Sequence, residues 1–183
     1  AVSPAVLIPR ADTETLVETA LEQLTLLRQQ RRAVPLSLLE LGTGSGIIAI
    51  TLALEAPDTE VHAVERSPEA LAMAQQNAKA LGADRIHWHA GSWWQALASP
   101  RHFDLIVSNP PYIAAGDHHL QQGDLRFEPP QALAAGPDGL DDLRIIIGGA
   151  PTHLNPGGWL LLEHGYDQEA PVQALLRDAG FAD

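Results

Sequence analysis

The six residues from Leu36 to Leu41 are nearly all apolar and run directly into Gly42-Thr43-Gly44-Ser45-Gly46, after which a helix-length apolar segment begins. A short run with no polar alternation is a strand buried on both faces, as in a parallel sheet. Parallel strands need long crossovers, usually helices, so this one feature commits the chain to an α/β fold.

The remaining segments keep the same rhythm. Leu16, Val17, Ala20, Leu21, Leu24 and Leu27 recur at spacings of three and four, which predicts an amphipathic helix from Asp12 to Arg32 with Asp12 or Thr13 as its cap, after an apolar lead-in at Val6 to Pro9. The spacing predicts helices over Ser45 to Ala56, Ser67 to Leu81, Asp141 to Leu154 and Gln168 to Ala179. The second has the clearest ends: Ser67 as cap, Pro68 at the first helical position, Glu69 in the first turn and Gly82 as terminator. Strands are predicted at Val61 to Val64, Arg85 to His89, Phe103 to Ser108 and Trp159 to Glu163, with a loop over Ala114 to Asp138 and a turn at Asn155 to Gly158. The expectation is a doubly wound α/β sheet with helices on both faces, formed by residues 1–183 as one domain, residues 1–35 being a lead-in segment and helix.

Composition narrows the function classes. Eleven basic and 23 acidic residues leave a net charge of −12, and Lys79 is the only lysine. Such a field repels polyanions, so direct nucleic-acid binding is not expected. There is no cysteine, which removes disulfide frameworks and thiolate metal sites. No window approaches the ~18 uncharged apolar residues of a membrane span, and Ala1-Val2-Ser3-Pro4 lacks a basic region and apolar signal core. A cytoplasmic protein with no membrane partner is expected. The opening also lacks a methionine and Gly180-Phe181-Ala182-Asp183 breaks off where a helix-to-strand connection begins, so a trimmed chain is expected.

Glycines at 42, 44 and 46 allow a tight strand-to-helix turn and close approach of a ligand. The third glycine falls two residues after the second, whereas the dinucleotide fingerprint wants three, and no Gly-Lys-Ser/Thr follows, so diphosphate binding is disfavoured. Glu65 closes the second strand 21 residues after Gly44, where a carboxylate can accept from both hydroxyls of an unphosphorylated ribose. Glu40 beside the loop repels phosphate but suits ammonium and sulfonium charges, and S-adenosylmethionine carries both. The alternative is that the glycines only shape a sharp turn and both acids sit exposed at strand ends.

Asn109-Pro110-Pro111-Tyr112 follows the fourth predicted strand, on the same rim as the glycine loop. Two prolines remove two donors and fix two φ angles, leaving rigid carbonyl acceptors beside the Asn109 side chain. Acceptors recognise an amino group, and Tyr112 can stack on a planar one. The alternative is a rigid turn with Tyr112 packed in the core. His87 with His89 and the adjacent His118-His119 are the only hints of metal binding; lacking cysteine partners or helical spacing, they are taken as ordinary histidines, with no metal. Arg28, Arg31 and Arg32 suit a solvated helix C-terminus.

On these residues the chain resembles the HemK/PrmC family, the S-adenosylmethionine-dependent methyltransferases of the glutamine in the Gly-Gly-Gln motif of class-1 peptide release factors. The similarity covers Leu7-Ile8-Pro9-Arg10, Asp12-Thr13-Glu14, Glu40 to Gly46, Asn109 to Tyr112, Leu120-Gln121-Gln122-Gly123-Asp124, Arg126-Phe127-Glu128-Pro129 and Leu161-Leu162-Glu163-His164-Gly165. Asn-Pro-Pro-Tyr is shared with adenine-N6 DNA methyltransferases, whereas the opening and the Arg126 to Pro129 segment are more selective. The resemblance implies a Rossmann-like class I sheet without its closing antiparallel strands and without the family's N-terminal helical domain. It implies that Gly42, Thr43, Gly44, Ser45 and Gly46 hold the methionine part of the cofactor, Glu65 the ribose and Trp93 the adenine side. It gives Asn109, Pro110, Pro111 and Tyr112 the glutamine amide, with Asn109 also near the transferred methyl. Ser92 stands where the family usually has Asp, which removes one adenine contact. The rival readings are an exocyclic-amine nucleic-acid methyltransferase and a cofactor-binding fragment without activity.

Overall fold

The computed structural model describes residues 11–30, 35–98, 101–117 and 133–182. Their elements in chain order are α1 (Ala11–Gln30), β1 (Leu36–Leu41), α2 (Ile47–Glu55), β2 (Thr59–Glu65), α3 (Pro68–Leu81), β3 (His87–Ala90), β4 (Phe103–Ser108), α4 (Asp141–Gly149), β5 (Leu154–Leu162) and α5 (Glu169–Asp178). Short 3-10 turns follow β3 and α4, at Trp93–Ala96 and Ala150–Thr152. The strands form one parallel sheet in the order β3-β2-β1-β4-β5. The chain starts in the middle, winds outward through β2 and β3, then returns past β1 to β4 and β5. The order therefore reverses between β1 and β4, and a crevice opens there at the carboxyl ends of the strands.

Alternation along β1 explains how both faces are covered. Leu38 packs under α1 and α2 with Leu16, Ala20, Leu24, Leu27, Ile48 and Leu52. Leu39 and Leu41 point the other way, to Val64, Phe103, Ile106, Trp93 and Ile146. Outside that layer, Leu143 and Ile147 of α4 meet Val172 of α5. Each fully buried leucine contributes roughly 1.5–3 kcal/mol, so the two-sided burial of β1 anchors the strand that carries the glycine loop.

The ends of α3 follow the local sequence. Ser67 Oγ accepts from the Ala70 N–H at 3.2 Å, Pro68 opens the helix, and Gly82 closes it at φ 77. At Arg28 the structure differs from the expected solvated helix end: its Nη2 donates to Thr59 Oγ1 at 2.9 Å, tying α1 to the start of β2.

The largest departure lies between α4 and β5. The predicted helix to Leu154 stops at Gly149, because Gly148, Gly149 and Pro151 disfavour continuation, and a 3-10 turn finishes it. The predicted turn Asn155 to Gly158 lies inside β5: Leu154 pairs with Phe103 and Trp159 with Leu105, so four residues bulge opposite Asp104. Buried Asp104 holds the bulge, accepting from Asn155 Nδ2 at 2.8 Å and from the Ser37 N–H at 2.9 Å.

Candidate active site

All twelve predicted cofactor and acceptor residues lie among the described residues, and β1, β2, β3 and β4 carry them or lead into them at the carboxyl edge of the sheet. The segments Leu7 to Arg10, His118-His119, Leu120 to Asp124 and Arg126 to Pro129 lie outside the described residues, as do Arg31 and Arg32.

The loop after β1 is held from below. Gly42, Gly44 and Gly46 have φ of 75, 55 and 84, a left-handed region that side chains resist. The N–H groups of Gly42 and Thr43 both donate to the Val64 carbonyl, at 3.0 and 2.9 Å. Asn77 Nδ2 of α3 donates to the Ser45 carbonyl at 2.9 Å. A Cβ on Gly44 meets no atom within 4 Å, so the tip of the loop faces open space; a Cβ on Gly42 would lie 3.2 Å from the Trp93 ring.

The two acids behave differently. Glu40 is buried under the loop, and its Oε2 accepts from Thr43 Oγ1 and, at 2.9 Å, from the Ala49 N–H. Ala49 lies in the first turn of α2, whose cap position, Gly46, has no side chain to offer. Glu40 therefore supplies from the strand the cap that the loop cannot. Burial pushes its carboxyl up to about 7, against the hydrogen bonds that pull it down. At the end of β2, Glu65 Oε2 accepts from the Gly44 N–H and Oε1 from the Ser67 N–H, both at 2.8 Å. Each oxygen keeps a second lone pair, which leaves a bidentate acceptor at the rim.

Trp93 has the only positive φ among the described non-glycine residues, 45. It is 9% exposed, and its Nε1 donates to Asp142 Oδ1 at 3.1 Å. Its ring forms the wall against Gly42, and Asp142 of α4 stands beside it. Burial raises the Asp142 carboxyl, while the Trp93 hydrogen bond and nearby Arg66 lower it.

At the end of β4, Ser108 Oγ donates to the Leu41 carbonyl at 2.7 Å, joining the two strands at the switch point. Pro110 is buried, and Asn109, Pro111 and Tyr112 are half-buried. Asn109 Nδ2 donates to Thr13 Oγ1 at 3.2 Å, Thr13 Oγ1 donates to Glu163 Oε2 at 3.0 Å, and the Tyr112 hydroxyl donates to Glu163 Oε1 at 3.2 Å. Gln168 Nε2 donates to the Tyr112 carbonyl at 2.8 Å. The functional reading of the sequence gave Thr13, Glu163, Asp142 and Gln168 no part in the site. Thr13 and Glu163 stood in family-like segments, which was the available signal; Asp142 and Gln168 had none beyond their helix starts.

The histidines gather elsewhere, toward the start of the strands. Glu60, His62 and His87 bring one ligand atom each within 4.8 Å of one another, and His89 Nε2 is 2.9 Å from His62 Nδ1. Arg101 Nη1 lies 2.8 Å from His62 Nε2, so a guanidinium already faces the nitrogen that a metal would need. Burial lowers the His62 imidazole to about 4.

The glycine loop, the Glu65 carboxylate and the proline turn stand at one edge of the sheet. A model of the family described as "Methyltransferase small domain" matches residues 16–127, more than half of the chain. The chain belongs to that family. Two similar relatives are named "Release factor glutamine methyltransferase": one from Xylella fastidiosa strain Temecula1, 56% identical over 179 residues, and one from Bordetella pertussis, 56% identical over 180. In each case 98% of this chain is matched, covering 62% and 64% of the relative, so the chain spans less than two thirds of their length. A methyltransferase from Pyrococcus furiosus shares the fold with a TM-score of 0.68 and 18% identity, over 100% of this chain and 78% of that one. The shared architecture is the Rossmann-like class I methyltransferase sheet of this family. None of the described helices is long and apolar enough to cross a membrane.

Proposed function

We propose that residues 1–183 form the catalytic domain of a methyltransferase that moves a methyl group from S-adenosylmethionine to the side-chain amide nitrogen of the glutamine in the Gly-Gly-Gln motif of class-1 release factors. The observation that carries this reading is the 56% identity, over 98% of the chain, to relatives named for that activity. The geometry supports it, because the Asn109 to Tyr112 turn and the glycine loop leave neighbouring strands at one edge of the sheet.

The residues present fit the cofactor. Gly42 to Gly46 offer an open cradle, Glu65 a ribose acceptor, and Trp93 with Asp142 a wall on the adenine side. Glu40 acts from below, holding the loop and the start of α2 rather than facing a ligand with its bonded oxygen. When bound, S-adenosylmethionine supplies an electrophilic methyl on a sulfonium.

An amide nitrogen is a poor nucleophile because its lone pair is delocalised. Asn109 Oδ1 and the carbonyls of the Pro110-Pro111 turn accept the amide N–H bonds, orient the nitrogen and stabilise the positive charge it gains. Gly42 to Gly46 and Glu65 would hold S-adenosylmethionine as it gives up the methyl and keeps its sulfur as a thioether, and the acceptor nitrogen would then release a proton to water. No general base is required before transfer. Tyr112 covers the planar group from the side.

A nucleic-acid acceptor is disfavoured by the net charge of −12. Incubation with methyl-labelled S-adenosylmethionine and either a class-1 release factor, duplex DNA or structured RNA separates the two: label on the release factor alone supports the reading, and label on nucleic acid alone overturns it.

A further inference from the structure

Two family-like segments, Asp12-Thr13-Glu14 and Leu161 to Gly165, are given no part in the reaction proposed above. They lie 150 residues apart, yet the Thr13 hydroxyl meets Glu163 at 3.0 Å, and both reach the acceptor turn through Asn109 and Tyr112. Thr13 is nearly sealed from solvent at 6% exposure, on the first turn of α1. Glu163 extends the ladder of β5, donating its N–H to the Ser108 carbonyl at 3.0 Å, one residue before Asn109.

The bonds form a chain of obligations. A carboxylate oxygen only accepts, so the Thr13 hydroxyl spends its single proton on Glu163. Its oxygen is then left to accept, and the Asn109 group facing it must be the NH2 end. The other end of the amide, Oδ1, accepts no hydrogen bond among the described residues and is not sealed from solvent. A carboxamide is nearly symmetric in shape, so packing alone does not choose between its two orientations; only hydrogen bonding does. Turned by 180°, Asn109 would present a donor to the acceptor nitrogen and lose its recognition of N–H.

We propose that Glu163, acting through Thr13, is the positioning residue that keeps Asn109 Oδ1 facing the methyl acceptor, and that it holds the Tyr112 phenol by its other oxygen. This rests on the proposed function for its catalytic consequence, though not for the orientation itself. The relay also makes α1 part of the active site: the helix contributes no reacting group, but its first turn decides which way Asn109 points.

Two variants break the relay. Thr13→Val keeps the shape and removes the hydroxyl, and Glu163→Leu removes the acceptor. Each is expected to lower kcat for release-factor methylation at least tenfold while KM for the acceptor and Kd for S-adenosylhomocysteine stay within about threefold. Thr13→Ser, which keeps the hydroxyl, restores most of the turnover lost in Thr13→Val. Because the two residues act as a unit, the double variant is expected to be no worse than the more impaired single one. A merely structural role would lower Tm and weaken cofactor binding together, without that split.

The orientation is also read without turnover. In the isotopically labelled chain, the Asn109 side-chain NH2 protons are expected to show nuclear Overhauser contacts to the Thr13 methyl, and Glu163→Leu to weaken them. Persistence of those contacts at full strength in Glu163→Leu, or wild-type kcat in folded Thr13→Val, overturns the proposal. If the wild-type chain leaves the release factor unmodified while the contacts behave as expected, the functional reading fails and the orientation stands.

Discussion

The Gly44 N–H donates to Glu65 Oε2 at 2.8 Å, so the open tip of the glycine loop and the end of β2 are one unit. Under the proposed function, removing the carboxylate is expected to have two effects, the loss of a ribose acceptor and the release of the loop that would hold the rest of the ligand. Glu65→Ala is expected to raise Kd for S-adenosylhomocysteine at least tenfold, ~1.4 kcal/mol, by calorimetry. Glu65→Gln keeps one acceptor oxygen for two backbone donors and is expected to fall between. Unchanged affinity in the alanine variant would count against the ribose contact.

Asn109 opens the turn that follows β4, and its only hydrogen bond among the described residues goes to Thr13. Asn109→Ala is expected to abolish detectable methyl transfer while cofactor affinity changes by less than about tenfold. Undiminished turnover in that variant would remove Asn109 from the reaction.

How much of this was legible in the sequence depends on the range of the interaction involved. The ends of α3 were readable because Ser67, Pro68 and Gly82 act within a turn of their own positions. The apolar run Leu36 to Leu41 predicted a strand buried on both faces, and β1 is buried with paired strands on both sides. The end of α4 was overrun because Leu154 continues the apolar pattern past Gly149, and the turn at Asn155 to Gly158 is a bulge because Asp104, 51 residues away, holds it in the ladder. Glu40 could be seen beside the loop, but the helix it caps could not. The relay from Glu163 to Asn109 spans three distant segments, so no local spacing reveals it.

Glu40 makes stability depend on pH in an unusual direction for an acid. Burial raises its carboxyl from 4.5 to about 7 in the folded state. Between these values the folded chain keeps a proton that the unfolded chain releases. The contribution is therefore fully present below 4.5 and is lost as pH rises through 7, by about 3 kcal/mol in total. Glu40→Gln mimics the protonated form at every pH. Urea unfolding at pH 5 and pH 8 is expected to show the variant gaining on the wild type as pH rises; a difference that stays flat would contradict the burial argument.

Gly46 combines a φ of 84 with close neighbours, since an added Cβ would lie 3.0 Å from the Ala74 Cβ and the Ile50 Cδ1. Both the left-handed backbone and the contact with α3 oppose a side chain there. Gly46→Ala is expected to destabilise the fold by about 1–3 kcal/mol. Gly82→Ala, at φ 77 but with no atom within 4 Å of its Cβ, meets only the backbone cost, about 1 kcal/mol. Denaturant midpoints rank the two, and equal losses would show that packing against α3 contributes nothing.

The central claim is the acceptor atom. Peptide mass spectrometry of a class-1 release factor incubated with this chain and S-adenosylmethionine reads it directly, with a control in which the motif glutamine is replaced by alanine. The account predicts one added methyl, 14 Da by the mass of CH2, on that glutamine and none on the control. A methyl carried by another residue, or present equally on the control, would contradict it.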